Sequence, residues 1–150
     1  MNIYKNKIEK EIENIVQNTG FNLIELILRG SDQKPVIEVF IDSKTGVSAN
    51  DCAIVSKNIT SFLDSTEFNF KDYRLDVSSP GIEKPLKFLW QYEKNIGRKF
   101  EIVFVENDQQ ISLEAKLVSI NESNLSFENK NSSFEINFNQ IISAKVLISF

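Results

Sequence analysis

The chain contains no histidine and a single cysteine, Cys52, among its 150 residues. Without histidine it lacks the side chain most often used as a general base near neutral pH and as a nitrogen ligand of metals. One cysteine allows no internal disulfide and leaves zinc or iron–sulfur sites almost without ligands. We therefore expect no catalytic residue, no metal and no cofactor, in a cytoplasmic protein.

Long apolar runs are also missing. No stretch approaches the ~18 residues that a helix needs to cross a bilayer, so no membrane association is expected. The N-terminus alternates apolar and polar residues and carries an acid by Glu9, which is not typical of a secretory signal. Hydrophobic residues make up 41% of the chain and charged residues 25%, as in ordinary globular proteins.

The net charge of −4 is unevenly distributed along the chain. Residues 1–82 carry nine basic and twelve acidic residues, residues 83–99 five and two, and residues 100–150 three and seven. An acidic body disfavours extensive binding to RNA phosphates and favours a basic partner protein, with residues 83–99 as the only locally basic strip. The alternative is that mild acidity only keeps the protein in solution.

The first half has the periodicity of a small α+β domain. Its pattern predicts a helix, two strands, a second helix and a third strand, over residues 3–16, 21–28, 36–41, 48–63 and 74–77. The strand over 21–28 carries apolar residues at both odd and even positions, and therefore on both of its faces, which favours a central position in the sheet. Gly20 is suited to the position just past the first helix, which should end there. Ser48 and Asp51 are spaced for a capping box at the start of the second helix. We expect two helices packed on a three-stranded sheet.

A stiff connector follows, and it divides the chain. Pro80 and Gly81 suit the two central positions of a type II turn, and Pro85 keeps the residue before it extended. A short helical turn is expected within residues 86–92. We therefore predict an N-terminal domain over 1–82, a connector over 83–96 and a C-terminal domain over 97–150.

The second half is predicted to be all-β. Alternating apolar residues mark five short strands, over residues 100–104, 111–117, 125–127, 134–138 and 142–148. So small a sheet is expected to close, or nearly close, into a five-stranded barrel, because an open sheet exposes its edges. No glycine follows Gly97, so we expect asparagines to take the turn positions that require a positive φ.

The connector and several flanking blocks resemble one known family. Residues 75–86 read LDVSSPGIEKPL, and this block is similar to the central signature of the bacterial ribosome maturation factor RimP family. The other similar blocks lie in the same order as in the family, at 40–42 (FID), 46–48 (GVS), 51–56 (DCAIVS), 95–100 (NIGRKF) and 141–146 (IISAKV). Glu83 and Lys84 depart from the aspartate and arginine usual there, and a lysine lacks the bidentate fork of arginine.

The resemblance implies a fold and a function. It implies an N-terminal α+β domain and a C-terminal Sm-like or SH3-like barrel. It further implies an assembly factor without catalytic chemistry, which binds the immature small ribosomal subunit and a basic small-subunit protein near the decoding centre. Small-subunit rRNA is a further candidate contact. We expect the protein to be a monomer, although the sequence does not determine its oligomeric state.

Two sets of residues are candidates for partner binding. The first set combines turn residues and basic residues. The turn residues can offer amides and hydroxyls to a partner, or can simply shape the turn. The basic residues can contact rRNA or an acidic protein, or can form a solvated face. This first set comprises Arg74, Ser78, Ser79, Pro80, Gly81, Lys84, Arg98 and Lys99, with Lys87 beside them. The second set would hold a lysine-rich protein, and it comprises Glu101, Glu106, Asp108, Glu114, Glu122, Glu128 and Glu135.

Two other functions compete with an assembly factor. A general RNA-binding or RNA-chaperone module built on the barrel would need exposed aromatics interleaved with basic residues, whereas these phenylalanines alternate inward. A Mg²⁺-dependent hydrolase would need paired carboxylates. The available aspartates look instead like caps and turn residues, namely Asp42, Asp51, Asp64, Asp72 and Asp76.

Overall fold

A computed structural model describes residues 2–65, 68, 70 and 72–148. It divides the chain into two compact units, Met1–Pro80 and Gly81–Phe150. The first unit contains α1 (Asn2–Asn18), β1 (Asn22–Gly30), β2 (Pro35–Asp42), α2 (Ala49–Asp64) and β3 (Arg74–Ser78). The second contains α3 (Leu89–Glu93), β4 (Lys99–Glu106), β5 (Gln109–Asn121), β6 (Asn124–Glu128), β7 (Ser133–Asn137), a 3-10 turn (Phe138–Gln140) and β8 (Ile141–Val146).

This is the mixed α+β architecture that the sequence predicts, with sheets of three and five strands. The predicted boundaries at 82/83 and 96/97 stay predictions, although the residues that follow Gly81 pack within the second unit. There Ile82, Leu86 and Leu89 lie against its core, and the Leu86 amide donates to the Ala144 carbonyl over 2.9 Å. No helix in the described part of the chain is both long and apolar enough to span a membrane.

The apolar stripes of α1 and α2 form the core of the first unit. Both helices pack on one face of the sheet, and the fully buried side chains include Ile8, Ile12, Val16, Val55, Ile59, Ile37, Val39 and Ile41. Gly20, with φ of 93°, ends α1, and the Phe21 amide donates to the Val16 carbonyl over 3.2 Å. This is the glycine stop that the sequence predicts.

The prediction that β1 is the central strand is wrong. The sheet order is β1-β2-β3, so β2 is central, with an antiparallel partner in β1 and a parallel partner in β3. A bulge between Leu23 and Glu25 explains the apolar residues at both parities of β1. It shifts the side-chain alternation by one position, so Leu23 and Leu26 pack against the same core although their spacing is odd.

The capping box predicted for α2 is confirmed. The Asp51 amide donates to Ser48 Oγ over 3.0 Å, and the Ser48 amide donates to Asp51 Oδ2 over 2.9 Å. The short helix α3 begins differently, because the Gln91 side-chain oxygen accepts from the amides of Lys87 and Phe88 over 2.7 and 2.9 Å. At the starts of α2 and α3, side chains thus satisfy some of the free amides.

The five-stranded sheet has the order β7-β6-β5-β4-β8. Its core is lined by inward-facing residues of every strand and by Tyr92 of α3, whose ring stacks on Phe100 at 5.8 Å between centroids. A closed barrel is not confirmed. Within the described residues β7 and β8 remain at the two edges of the ladder, and no pairing joins them.

The turns of the second unit differ from the predicted asparagine pattern. Positive φ values occur at Asn107 (52°) and Asp108 (63°) between β4 and β5, and at Glu122 (56°) between β5 and β6. Only one of the three is an asparagine, because two-residue hairpin loops impose positive φ on whatever residue stands there. Gly81 has a φ of 64°, but the turn spans residues 81–83 and lies one position later than predicted.

Candidate partner-binding site

One end of the five-stranded sheet contains an open groove of about 1090 Å³. We call it the basic groove. Ile82 and four segments of the second unit line it, namely the start of β4, the middle of β5, the end of β6 with the loop after it, and the end of β8. The residues of these segments are Gly97, Arg98, Lys99, Glu114, Ala115, Lys116, Glu128, Asn129, Lys130, Asn131, Val146, Leu147 and Ile148.

Backbone hydrogen bonds hold Arg98 beside β5. The Gly97 amide donates to the Leu117 carbonyl over 2.7 Å, and the Leu117 amide donates back to the Arg98 carbonyl over 3.0 Å. Gly97 has a φ of 93°, which favours glycine over any other residue. The start of β4 is therefore fixed, and the Arg98 side chain remains exposed at the groove.

The loop after β6 places Lys130 at its tip. Asn129 Oδ1 accepts from the amides of Asn131 and Ser132 over 3.0 and 3.1 Å, and the Asn129 amide donates to the Ser132 carbonyl over 3.0 Å. Such an asparagine-centred turn fixes the backbone without a positive φ. Lys130 is exposed on this ordered turn.

Cations outnumber carboxylates in the basic groove by four to two. Lys99 Nζ lies 3.2 Å from Glu114 Oε1, and Lys116 is the cross-strand neighbour of both Lys99 and Glu128. Within the described part of the chain, the side chains of Arg98, Lys116 and Lys130 make no hydrogen bond or ion pair. Three solvent-facing cations are thus available to an anionic ligand.

A second groove, of about 670 Å³, lies in the first unit between α2 and β3. We call it the serine groove. It is lined by Val47, Ser48, Ala49, Cys52, Ala53, Ser56, Leu75, Asp76, Val77, Ser78 and Ser79. Burial, reinforced by the charge of Asp51, raises the pKa of the Cys52 thiol above its ordinary value, so this thiol is a poor nucleophile.

The predicted basic and turn residues therefore fall into separate places. Arg98 and Lys99 line the basic groove, and Ser78 and Ser79 line the serine groove. Arg74 pairs with Asp76 at 3.0 Å on β3, where the Arg74 side chain is 70% exposed and the Asp76 side chain 45%. Neither groove is lined by the other predicted residues, Pro80, Gly81, Lys84 and Lys87.

Lys116 and Lys130 were not among the predicted site residues. A signal for Lys116 exists in the sequence, because a hairpin turn at Asn107–Asp108 fixes Lys99 opposite Lys116. The same register places Glu101 opposite Glu114. The position of Lys130 depends on the convergence of β6 and β8 on one end of the sheet, for which the sequence offers no local pattern.

All seven predicted acidic residues of the second unit are exposed. Glu101 and Glu114 lie directly opposite each other on β4 and β5, and Lys145 of β8 is the other cross-strand neighbour of Glu101. Like charges directly opposite each other on neighbouring strands lower the stability of a sheet by less than about 1 kcal/mol per pair. The remaining carboxylates are spread over hairpin turns and strands and do not form a single cluster.

The aspartates considered for metal chemistry have local structural roles. Asp42 Oδ1 accepts from the Ser43 amide over 2.8 Å, and Asp64 accepts from the Tyr73 hydroxyl over 2.7 Å. Asp72 accepts from the Tyr73 amide over 2.9 Å, and burial together with the Asp64 hydrogen bond raises the pKa of Tyr73. No group of three or more potential metal-ligating side chains occurs among the residues that the structure describes.

Comparison with known proteins gives two matches. Residues 11–83 match the family model described as the RimP N-terminal domain. The chain is also 36% identical over 122 residues to the "Ribosome maturation factor RimP" of Christiangramia forsetii, a match that covers 81% of this chain and 73% of that protein. The second match extends well beyond the first unit, so the similarity is not confined to one domain.

Proposed function

The chain belongs to the RimP family of ribosome maturation factors, and we propose that it acts on the immature small ribosomal subunit without catalytic chemistry. In this role it binds the subunit through a basic small-subunit protein and promotes the incorporation of that protein into rRNA. The proposal places the protein in the cytoplasm, as a monomer.

The exposure of the seven carboxylates of residues 100–150, five of which lie outside the lining of the basic groove, is the observation that carries the contact with a basic protein. An exposed acidic surface attracts a lysine-rich partner over roughly the Debye length, ~8–10 Å at physiological salt. Such complementarity raises the association rate and the specificity more than the final affinity. The binding should therefore weaken steeply as salt is added.

The strand order β7-β6-β5-β4-β8 supports a Sm-like arrangement of the second unit. In this arrangement β4, the first strand of the unit along the chain, pairs with β8, the last. Three phenylalanines on its strands support a protein-binding role over a general RNA chaperone built on the five-stranded sheet. Phe100, Phe104 and Phe127 are at most 5% exposed. Rings buried in the core offer no stacking platform to single-stranded RNA.

Sedimentation of a cell lysate tests this function. The proposal expects the protein to comigrate with free small subunits and to be absent from mature ribosomes. A protein found only at the top of the gradient, or on translating ribosomes, would contradict it.

Charge variants test the acidic contact. We expect Glu106→Gln with Asp108→Asn, at the exposed tip of the β4–β5 hairpin, to weaken subunit binding severalfold and to flatten its salt dependence. Asparagine tolerates the positive φ of position 108, so the hairpin should persist. Glu9→Gln with Glu13→Gln on α1 is the control with the same change in net charge. Equal effects of both pairs would indicate that only the overall charge matters.

A further inference from the structure

The lining of the basic groove carries a net positive charge, whereas the rest of the second unit carries a net negative one. Residues 100–150 contain three lysines and seven acidic residues, yet two of those lysines, Lys116 and Lys130, line this one groove. Arg98 and Lys99 join them from the start of β4. A contact with a basic protein makes no use of these cations, because like charges repel.

We propose that the basic groove binds the sugar–phosphate backbone of small-subunit rRNA, with phosphates held by Arg98, Lys116 and Lys130. This inference rests on the proposed function, because the immature subunit is the particle that brings RNA to the groove.

The ion pairs that these cations make, or lack, among the described residues support an anionic ligand. Glu114 holds Lys99, whereas the described residues provide no partner for the other three basic side chains. Glu128 lies beside Lys116 in the ladder without forming an ion pair in the described structure. The unneutralised charge therefore faces the solvent, where it releases counterions when phosphates bind.

The lining of the groove indicates which part of the RNA is bound. Among the described residues that line it there is no aromatic side chain, so these residues offer no ring on which a base could stack. Its apolar surface consists of aliphatic and small residues, among them Ile82, Val146 and Leu147, which can contact ribose. Lysine and arginine contacts to phosphates fix position and carry no sequence information. Binding should thus depend on salt and not on base sequence.

Titration of a fluorescein-labelled RNA hairpin, followed by fluorescence anisotropy, tests the proposal. Each phosphate contact adds roughly 0.7–0.9 to the slope of log K against log salt, so three contacts predict a slope of about −2 to −3. Raising the salt from 50 to 200 mM should weaken the binding by roughly 20- to 60-fold. A hairpin of scrambled sequence should bind with the same Kd within about twofold.

The double variant Lys116→Gln with Lys130→Gln should bind at least tenfold more weakly and lose roughly two units of the salt slope. Lys145→Gln is a single-charge control, which removes the remaining lysine of residues 100–150 from a position outside the groove lining. This control should keep the wild-type Kd within about twofold. The proposal is wrong if the wild-type protein does not bind the hairpin, or if the variant and the control lose the same affinity.

Sedimentation of the same proteins separates this inference from the proposed function. If the wild-type protein comigrates with small subunits and the double variant binds RNA as tightly as the wild type, the assignment of the groove is wrong and the proposed function stands. RNA binding without any comigration overturns the function. If the double variant leaves the subunit but binds free RNA like the wild type, the groove holds an acidic protein segment and the RNA assignment fails.

Discussion

Lys99 Nζ lies 3.2 Å from the carboxylate of Glu114 on the neighbouring strand, although the residue directly opposite Lys99 is another cation, Lys116. The ion pair is diagonal across the β4–β5 hairpin. It leaves Glu101 opposite Glu114 and leaves Lys116 available to a ligand. The outer face of this hairpin therefore carries an acidic pair and a basic pair in adjacent rows, and the Lys99–Glu114 ion pair joins the two rows.

Glu114→Gln should strengthen RNA binding. The substitution removes one of the two carboxylates of the basic groove and frees Lys99, so we expect Kd for the RNA hairpin to fall about threefold, measured by anisotropy. The free energy of unfolding should change by less than about 0.5 kcal/mol, because both partners of the pair are more than half exposed. Glu122→Gln, outside the groove lining, is the control. An unchanged or weaker affinity for Glu114→Gln would count against the charge argument.

Tyr92→Phe should stabilise the second unit. Tyr92 is fully buried, burial raises its pKa, and its hydroxyl finds no hydrogen-bond partner among the described residues. Removing a buried unsatisfied hydroxyl should raise the free energy of unfolding by about 1 kcal/mol, while the rings of Phe100 and Phe138 keep their contacts. Urea denaturation measures the change. Tyr73→Phe is the control with the opposite expected sign, because the Tyr73 hydroxyl donates to Asp64.

Ser48→Ala should destabilise the first unit by about 1 kcal/mol, because it removes the acceptor of the Asp51 amide at the start of α2. Thermal unfolding followed by circular dichroism measures this loss. Ser61→Ala, at an exposed position of the same helix, should cost less than about 0.5 kcal/mol. Equal losses at the two positions would show that the capping box contributes nothing specific.

The reactivity of Cys52 should depend on pH with a raised midpoint. Burial and the Asp51 charge favour the neutral thiol, so the midpoint of its iodoacetamide alkylation rate should lie above that of the chain unfolded in urea. The folded thiol keeps its proton to higher pH than the unfolded one. Its contribution to stability is therefore fully present below the ordinary thiol pKa and is lost as pH rises through the raised value. Identical midpoints for the folded and unfolded chains would refute this environment.

The capping box and the glycine stop were predictable because they depend on residues three to five positions apart. The alternation of Phe100, Ile102 and Phe104 predicted a core face in the same way, and all three are buried. The β4–β5 register is equally local, since a two-residue loop fixes it, and it would have revealed Lys116. The position of β1 was mispredicted because a bulge and a central strand leave the same trace in a sequence, namely apolar residues at both parities.

The sequence by itself determined the helices, the strands, the change from a mixed to an all-β half and the family resemblance, because each is written in short-range periodicity or in motif order. Only the tertiary structure decided that β2 is central and that two of the three lysines after residue 100 meet Arg98 in one groove. Those facts depend on which distant strands pair and converge. That choice is made by the burial of whole faces of the sheet, a property that no single segment of the chain carries.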